Sequence, residues 1–102
     1  MSRMLEMKRA AITELCARYG VSRLEVFGSA LRDDFQPGQS DLDLLIEFGP
    51  MNPYERADAY FELLDELRSL LGVEIDLVVA SAIKNRFIAA DIERTKKVFY
   101  AA

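Results

Sequence analysis

Apolar residues recur along this chain in two spacings, one typical of helices and one typical of strands. The helical spacing covers residues 2–19, 52–71 and 82–95, and short apolar or alternating runs cover residues 24–27, 41–48 and 73–79. Gly20, Gly49 and Gly72 follow three of these segments as stop signals. The pattern predicts one α+β domain, residues 1–102, with a small mixed β-sheet covered by helices.

Each of the three predicted helices carries apolar residues at helical spacing, which in the first are Leu5, Ile12, Leu15, Cys16 and Tyr19. In the second helix the stripe comprises Tyr54, Ala57, Phe61, Leu64, Leu67 and Leu71, and in the third it comprises Ile83, Phe87, Ile88 and Ile92. Asn52 is the expected N-cap of the second helix, with Pro53 at its first position and Glu55 placed for a capping box. Residues 98–100 fit either a frayed end or a short fourth strand. Apolar residues on three helices exceed what a small sheet covers, so the sequence is compatible with either self-association or a partner interface.

Composition narrows the chemistry that this chain can perform. Its net charge of −4 disfavours direct nucleic-acid binding, which needs clustered Lys and Arg. The absence of histidine removes Ser-His and Cys-His dyads, and the single cysteine, Cys16, predicts a buried structural residue. No apolar run approaches the roughly 18 residues that span a bilayer, and charges interrupt the N-terminus. We therefore expect no membrane contact and a cytoplasmic location.

Two aspartates interrupt the apolar run that begins at residue 41. Alternation places Asp41, Asp43 and Leu45 on one face of the predicted strand. Burying a carboxylate without a partner is costly, and a divalent cation would offset that cost. Two carboxylates on one face suit oxygen coordination of Mg²⁺, although a pair of exposed acids on a half-buried strand fits the same pattern.

Three further positions add to this pair. Asp76 stands within the third apolar run and would lie beside Asp41 and Asp43 if the two strands are neighbours. Gly28-Ser29 follows the first strand, where a glycine lets backbone approach a phosphate and the serine hydroxyl can bind its oxygens. Arg32 could reach the same phosphate or pair with a nearby aspartate. Each feature alone also fits an ordinary turn or an exposed charge.

Taken together, the segment VFGSALRDDFQPGQSDLDLLIEF and the later Asp76 resemble the DNA polymerase β-type nucleotidyltransferase superfamily. More narrowly, they resemble the minimal nucleotidyltransferases found as antitoxins beside HEPN-domain partners, over residues 24–79. The resemblance implies the nucleotidyltransferase, polymerase β palm-like fold. It also implies an enzyme with two Mg²⁺ ions as cofactors and ATP as substrate.

The resemblance assigns roles to individual residues. It implies that Asp41, Asp43 and Asp76 are the metal ligands and catalytic acids, and that Asp76 helps to deprotonate the attacking hydroxyl. It makes Gly28 and Ser29, with Arg32, the nucleotide-binding residues. The sequence departs from the family in two places, since Asp33 replaces a common glycine and the spacing between Ser29 and Asp41 is one residue longer.

The resemblance also implies a partner. A chain this short has no room for the added acceptor-binding domain of larger relatives, so a HEPN-type toxin would present a tyrosine hydroxyl, whose adenylylation silences it. Two alternatives remain open at this point. The chain would neutralise its partner by binding alone, or it would modify a small molecule, such as an aminoglycoside, in a dimer cleft.

Overall fold

The computed structural model describes residues 3–28 and 42–102 of the chain. In chain order the elements are α1 Arg3–Met7, α2 Arg9–Arg18, β1 Val21–Phe27, β2 Leu42–Phe48, α3 Pro53–Leu71, β3 Ile75–Val79, a 3₁₀ turn Ala80–Ala82, α4 Arg86–Thr95 and β4 Lys97–Ala101. No helix in these two ranges is long and apolar enough to cross a membrane.

The four strands form one mixed sheet in the order β3-β2-β1-β4. β1 pairs antiparallel with both β2 and β4, while β2 and β3 are parallel and are joined through α3. The predicted fold class, a small mixed sheet with helices, is thereby confirmed. The C-terminal segment, which fitted either a frayed end or a strand, is the edge strand β4.

Several boundaries differ from those predicted. The first helix is two helices, because the chain turns at Lys8, whose backbone N–H lies 3.2 Å from the carbonyls of both Met4 and Leu5. β1 begins three residues earlier than expected, since Val21 pairs with Phe48 across the sheet. The third strand and the last helix begin later than predicted.

The core lies between one face of the sheet and helices α1, α2 and α3. Buried side chains from the sheet include those of Leu24, Val26, Leu42, Leu44, Ile46, Ile75 and Leu77. The helices contribute Leu5, Ile12, Leu15, Cys16, Leu63, Leu67 and Leu71, so the predicted burial of Cys16 is confirmed. Leu45 on β2 and Ile92 on α4 are also buried but lie outside this cluster.

The caps of α3 follow the sequence prediction, but its buried side does not. The Asn52 side chain accepts a hydrogen bond from the Glu55 backbone N–H at 2.8 Å, and Gly72 ends the helix with φ 66°. The buried residues are Leu63, Leu67 and Leu71, whereas the predicted stripe began with Tyr54 and Phe61, which are 85% and 66% exposed. The prediction was wrong for this N-terminal half, because α3 carries apolar residues on two sides and the sheet covers one.

The predicted stripe of the last helix was also only partly correct. Ile92 is buried, but Phe87 and Ile88 are 78% and 54% exposed. One carbonyl of each edge strand accepts a hydrogen bond from a helix side chain. The Tyr60 hydroxyl donates to the Leu77 carbonyl of β3 at 2.6 Å, and Arg9 Nη1 donates to the Phe99 carbonyl of β4 at 2.8 Å.

Candidate active site

Asp43 and Asp76 are direct neighbours in the sheet. β2 and β3 pair in parallel with Asp43 opposite Asp76, and Leu44 is opposite Leu77 in the same register. Because residues opposite one another in a pleated sheet point to the same side, the two carboxylates leave one face together while Leu44 and Leu77 enter the core. The adjacency on which the sequence interpretation depended is confirmed.

The surroundings of the two acids differ from the buried strand that the sequence suggested. Asp43 is half-buried and Asp76 is exposed, so neither carries the full desolvation penalty of a buried carboxylate. Leu45, two residues beyond Asp43 on the same face, is only 3% exposed. The acids therefore lie at the open margin of a face that is partly covered.

Gly28 lies against the side chain of Asp43. Its φ of 72° is in the left-handed region that favours glycine. A Cβ added there would overlap Asp43 Oδ2 and lie 3.2 Å from Asp43 Cγ. The sequence suggested a glycine for the approach of a phosphate. The structure gives residue 28 two more requirements, a left-handed backbone and room for the Asp43 carboxylate.

The remaining predicted site residues, Ser29, Arg32 and Asp41, lie outside the described residues. Within residues 3–28 and 42–102 no group of three or more acidic, histidine or cysteine side chains could hold a metal ion. Asp43 and Asp76 supply two such side chains. Neighbouring strands lie about 4.8 Å apart, so carboxylates opposite one another on two such strands can both supply oxygens to a hard divalent cation of the Mg²⁺ type, which keeps further positions for water or phosphate.

The sequence interpretation missed Glu25, a buried carboxylate on the same face of the sheet. Glu25 is 2% exposed and pairs with Leu45 across β1 and β2. Its Oε1 lies 2.9 Å from Lys96 Nζ and 3.2 Å from Arg23 Nε. Alternation within β1, with Leu24 and Val26 on the core side, was the signal that could have revealed it.

Lys96 directly follows α4, so its bond to Glu25 ties the end of that helix to the sheet. Burial by itself lowers the pKa of Lys96, but hydrogen bonds to Glu93 and Glu25 outweigh that effect and leave the pKa above its ordinary value. The ammonium group therefore stays protonated and neutralises the buried carboxylate. This pair is structural, and it positions α4 over the face that carries Asp43 and Asp76.

A cleft of about 680 Å³ lies at the other end of β2. Its lining includes Ser22, Glu47, Arg56 and Ser81. Glu47 is four residues from Asp43, which is roughly 13 Å along an extended strand. The cleft is therefore separate from the two acids.

Comparisons with known proteins agree with this geometry. Residues 8–98 match the family model described as a nucleotidyltransferase domain. A relative from Methanocaldococcus jannaschii, assigned as a protein adenylyltransferase, is 44% identical over 78 residues, covering 74% of each chain. The protein adenylyltransferase MntA of Thermococcus cleftensis is 36% identical over 72 residues, covering 71% of this chain and 69% of its own.

Solved structures show the same fold. One described as a minimal nucleotidyltransferase is 33% identical, with a TM-score of 0.77 over 95% of both chains. A chain from a toxin–antitoxin crystal structure with AMP-PNP is 20% identical, with a TM-score of 0.70 over 92% of this chain and 73% of that one. A chain from the complex of a tri-AMPylated Shewanella oneidensis HEPN toxin with its MNT antitoxin is 17% identical, with a TM-score of 0.66 over 95% of this chain and 72% of that one.

The sequence match spans nearly the whole chain, and the fold match covers the same strands that bring Asp43 and Asp76 together. The resemblance seen in residues 24–79 is thereby confirmed. The chain belongs to the nucleotidyltransferase family, and within it this enzyme is a minimal nucleotidyltransferase of the protein adenylyltransferase group.

Proposed function

We propose that this enzyme transfers AMP from ATP to a tyrosine hydroxyl of a HEPN-type toxin and thereby acts as its antitoxin. The observation that carries the proposal is the pairing of Asp43 with Asp76 on one open face of the sheet. The names of its relatives favour a protein acceptor, since they are called protein adenylyltransferases. Because ATP is the donor, we place the reaction in the cytoplasm.

In this proposal Asp43 and Asp76, together with Asp41, hold two Mg²⁺ ions. When bound, these ions would lower the pKa of the acceptor hydroxyl and neutralise charge on the departing pyrophosphate. Gly28 and Ser29 bind the triphosphate of ATP, and Arg32 contacts its oxygens. Asp76 is the more exposed of the two described acids, so we place the acceptor on its side and the nucleotide on the side of Asp43 and Gly28.

The transfer step follows from these positions. The tyrosine oxygen attacks the α-phosphorus of ATP in line, and the bond from that phosphorus to the bridging oxygen of the β-phosphate breaks. The tyrosine proton passes to the Asp76 carboxylate, and pyrophosphate leaves. Much of the rate comes from holding both reactants in this arrangement on a rigid sheet.

The test is intact-mass measurement of the partner toxin after incubation with this protein, ATP and Mg²⁺. We expect the toxin to gain one or more AMP groups. Asp43→Asn and Asp76→Asn should abolish the gain and leave the melting temperature nearly unchanged. Glu74→Gln is the matched control, because Glu74 is an exposed acid only two residues from Asp76, with a long 3.8 Å contact to Arg68.

Three outcomes would overturn the proposal. Full neutralisation of the toxin without any added mass would make the chain an antitoxin that acts by binding alone. Transfer at the normal rate by the Asp43→Asn, Asp76→Asn double variant would show that these acids do not hold the metal ions. AMP transfer to a small hydroxyl compound but never to the toxin would replace the protein acceptor with a small molecule.

A further inference from the structure

We propose that Phe27 is a positioning residue of this site, whose ring forms an apolar wall beside the Asp43 carboxylate. The inference rests on the proposed function, since it concerns the same acids. It is drawn from the register of the sheet and from the packing of the five phenylalanines that the structure describes.

Phe27, Asp43 and Asp76 form one row across three strands. Phe27 is directly opposite Asp43 in the antiparallel pair of β1 and β2, and Asp43 is opposite Asp76 in the parallel pair of β2 and β3. Residues opposite one another leave the same face, with their Cβ atoms roughly 4.5–5.5 Å apart. An aromatic ring therefore lies immediately beside Asp43, on the face of the sheet that carries Asp43 and Asp76.

Phe27 lies outside the main core cluster. Phe99 is buried in the core cluster, and Phe48 packs against that cluster from the far end of β2. Phe61 and Phe87 are exposed on helix surfaces. Phe27 is half-buried, yet it belongs neither to the cluster nor to the residues packed against it.

Asp43 is consequently bounded on two sides. Gly28 lies against its carboxylate, and Phe27 precedes Gly28 on the neighbouring strand. A ring in this place restricts the rotation of the carboxylate and excludes water from one side of it. Both effects strengthen the binding of a cation and keep the reactants in the productive geometry.

The experiment compares Phe27→Ala, Phe27→Leu and Phe27→Tyr with the matched control Phe48→Ala. The control removes a half-buried ring at the opposite end of the same sheet, where the ring packs on the core. The readouts are kcat and KM for AMP transfer, the affinity for Mn²⁺ measured by calorimetry without nucleotide, and the melting temperature.

We expect Phe27→Ala to lower kcat about tenfold or more, with a much smaller change in the KM for ATP. It should also weaken Mn²⁺ binding several-fold, while Phe27→Tyr, which keeps the ring, stays near the wild-type values. Phe27→Leu should give intermediate values of kcat and Mn²⁺ affinity, and it serves as a second test variant if Phe27→Ala does not fold. Phe48→Ala should lower the melting temperature and leave Mn²⁺ affinity unchanged.

Wild-type Mn²⁺ affinity and kcat in folded Phe27→Ala would overturn the inference. Equal losses of melting temperature, kcat and Mn²⁺ affinity in the Phe27 and Phe48 variants would also overturn it, because a structural role explains them. If the wild-type protein transfers no AMP, the proposed function fails. The Mn²⁺ affinities of the same variants then decide the role of Phe27.

Discussion

The carboxylate of Asp43 occupies the space that a side chain at residue 28 would need, so aspartate at residue 43 requires glycine at residue 28. Gly28→Ala should therefore displace Asp43 and reduce AMP transfer by about a hundredfold. It should also cost about 1–2 kcal/mol of stability through its φ of 72°. Transfer assays and urea unfolding measure the two effects.

Gly72→Ala is the matched control for that change. Gly72 has a similar φ of 66°, but among the described residues none apart from its chain neighbours has an atom within 4 Å of a Cβ placed there. It should show the loss of stability without the loss of transfer. Equal activity in the two variants would contradict the importance of the contact between residue 28 and Asp43.

The Glu25–Lys96 pair stabilises the fold, and its contribution changes with pH in the alkaline range. Lys96→Met leaves a carboxylate that is 2% exposed without its closer cation, which should cost about 3 kcal/mol of unfolding free energy. Glu93→Gln removes an exposed partner of the same ammonium group and should cost at most about 1 kcal/mol. Urea unfolding near neutral pH tests both values.

The pH dependence follows from the raised pKa of Lys96 in the folded state. A raised pKa adds stability that is fully present below the ordinary pKa of 10.5 and is lost as the pH rises through the folded-state pKa. Lys96→Met should lack this contribution. Tyr19, whose pKa is raised by its hydrogen bond to Glu66, titrates in the alkaline range too, so the measurement is the difference from wild type. If the stabilities of Lys96→Met and of the wild type fell in parallel as the pH rises, the pH dependence could not be assigned to Lys96.

Cys16 should be unreactive in the folded protein. It is fully buried, and burial raises the pKa of its thiol to about 12. A thiol reagent at neutral pH should label one cysteine in urea and almost none in native buffer, because the thiolate is the reactive form. Rapid labelling of the native protein would show that α2 leaves the core far more often than the packing implies.

The two sides of α3 should respond differently to mutation. Leu67 is fully buried, so Leu67→Ala should cost about 2–5 kcal/mol. Phe61 is 66% exposed, and Phe61→Ala should change stability by less than about 1 kcal/mol despite the larger side chain removed. Chemical unfolding of both variants tests whether Phe61 packs on the sheet. A loss for Phe61→Ala as large as that for Leu67→Ala would restore the stripe predicted from the sequence, which contains both residues.

The sequence predicted those features that depend on local alternation. Asp43 and Asp76 were each placed on the face opposite their apolar neighbours, and the parallel pairing then joined the two predictions. Caps were equally local, so Asn52 and Gly72 were identified correctly. These features need no knowledge of distant parts of the chain.

Other features depended on contacts between distant residues. β4 is a strand because β1 offers it a hydrogen-bonding edge more than seventy residues away, for instance at the pair formed by Glu25 and Val98. The helix α3 has apolar residues on two sides, and which side is buried depends on its packing against the sheet. The burial of Glu25 was overlooked because alternation within β1 shows only which face it is on, while its cation, Lys96, is distant in sequence.

The hydrogen bonds from Tyr60 and Arg9 to carbonyls of the two edge strands have a consequence for assembly. An edge strand with unpaired backbone groups can recruit an extended segment of another chain. Here such recruitment would first have to displace a phenol from β3 or a guanidinium from β4. The carbonyls of Leu77 and Phe99 are therefore already occupied, and strand addition at either position competes with a side chain of the protein itself.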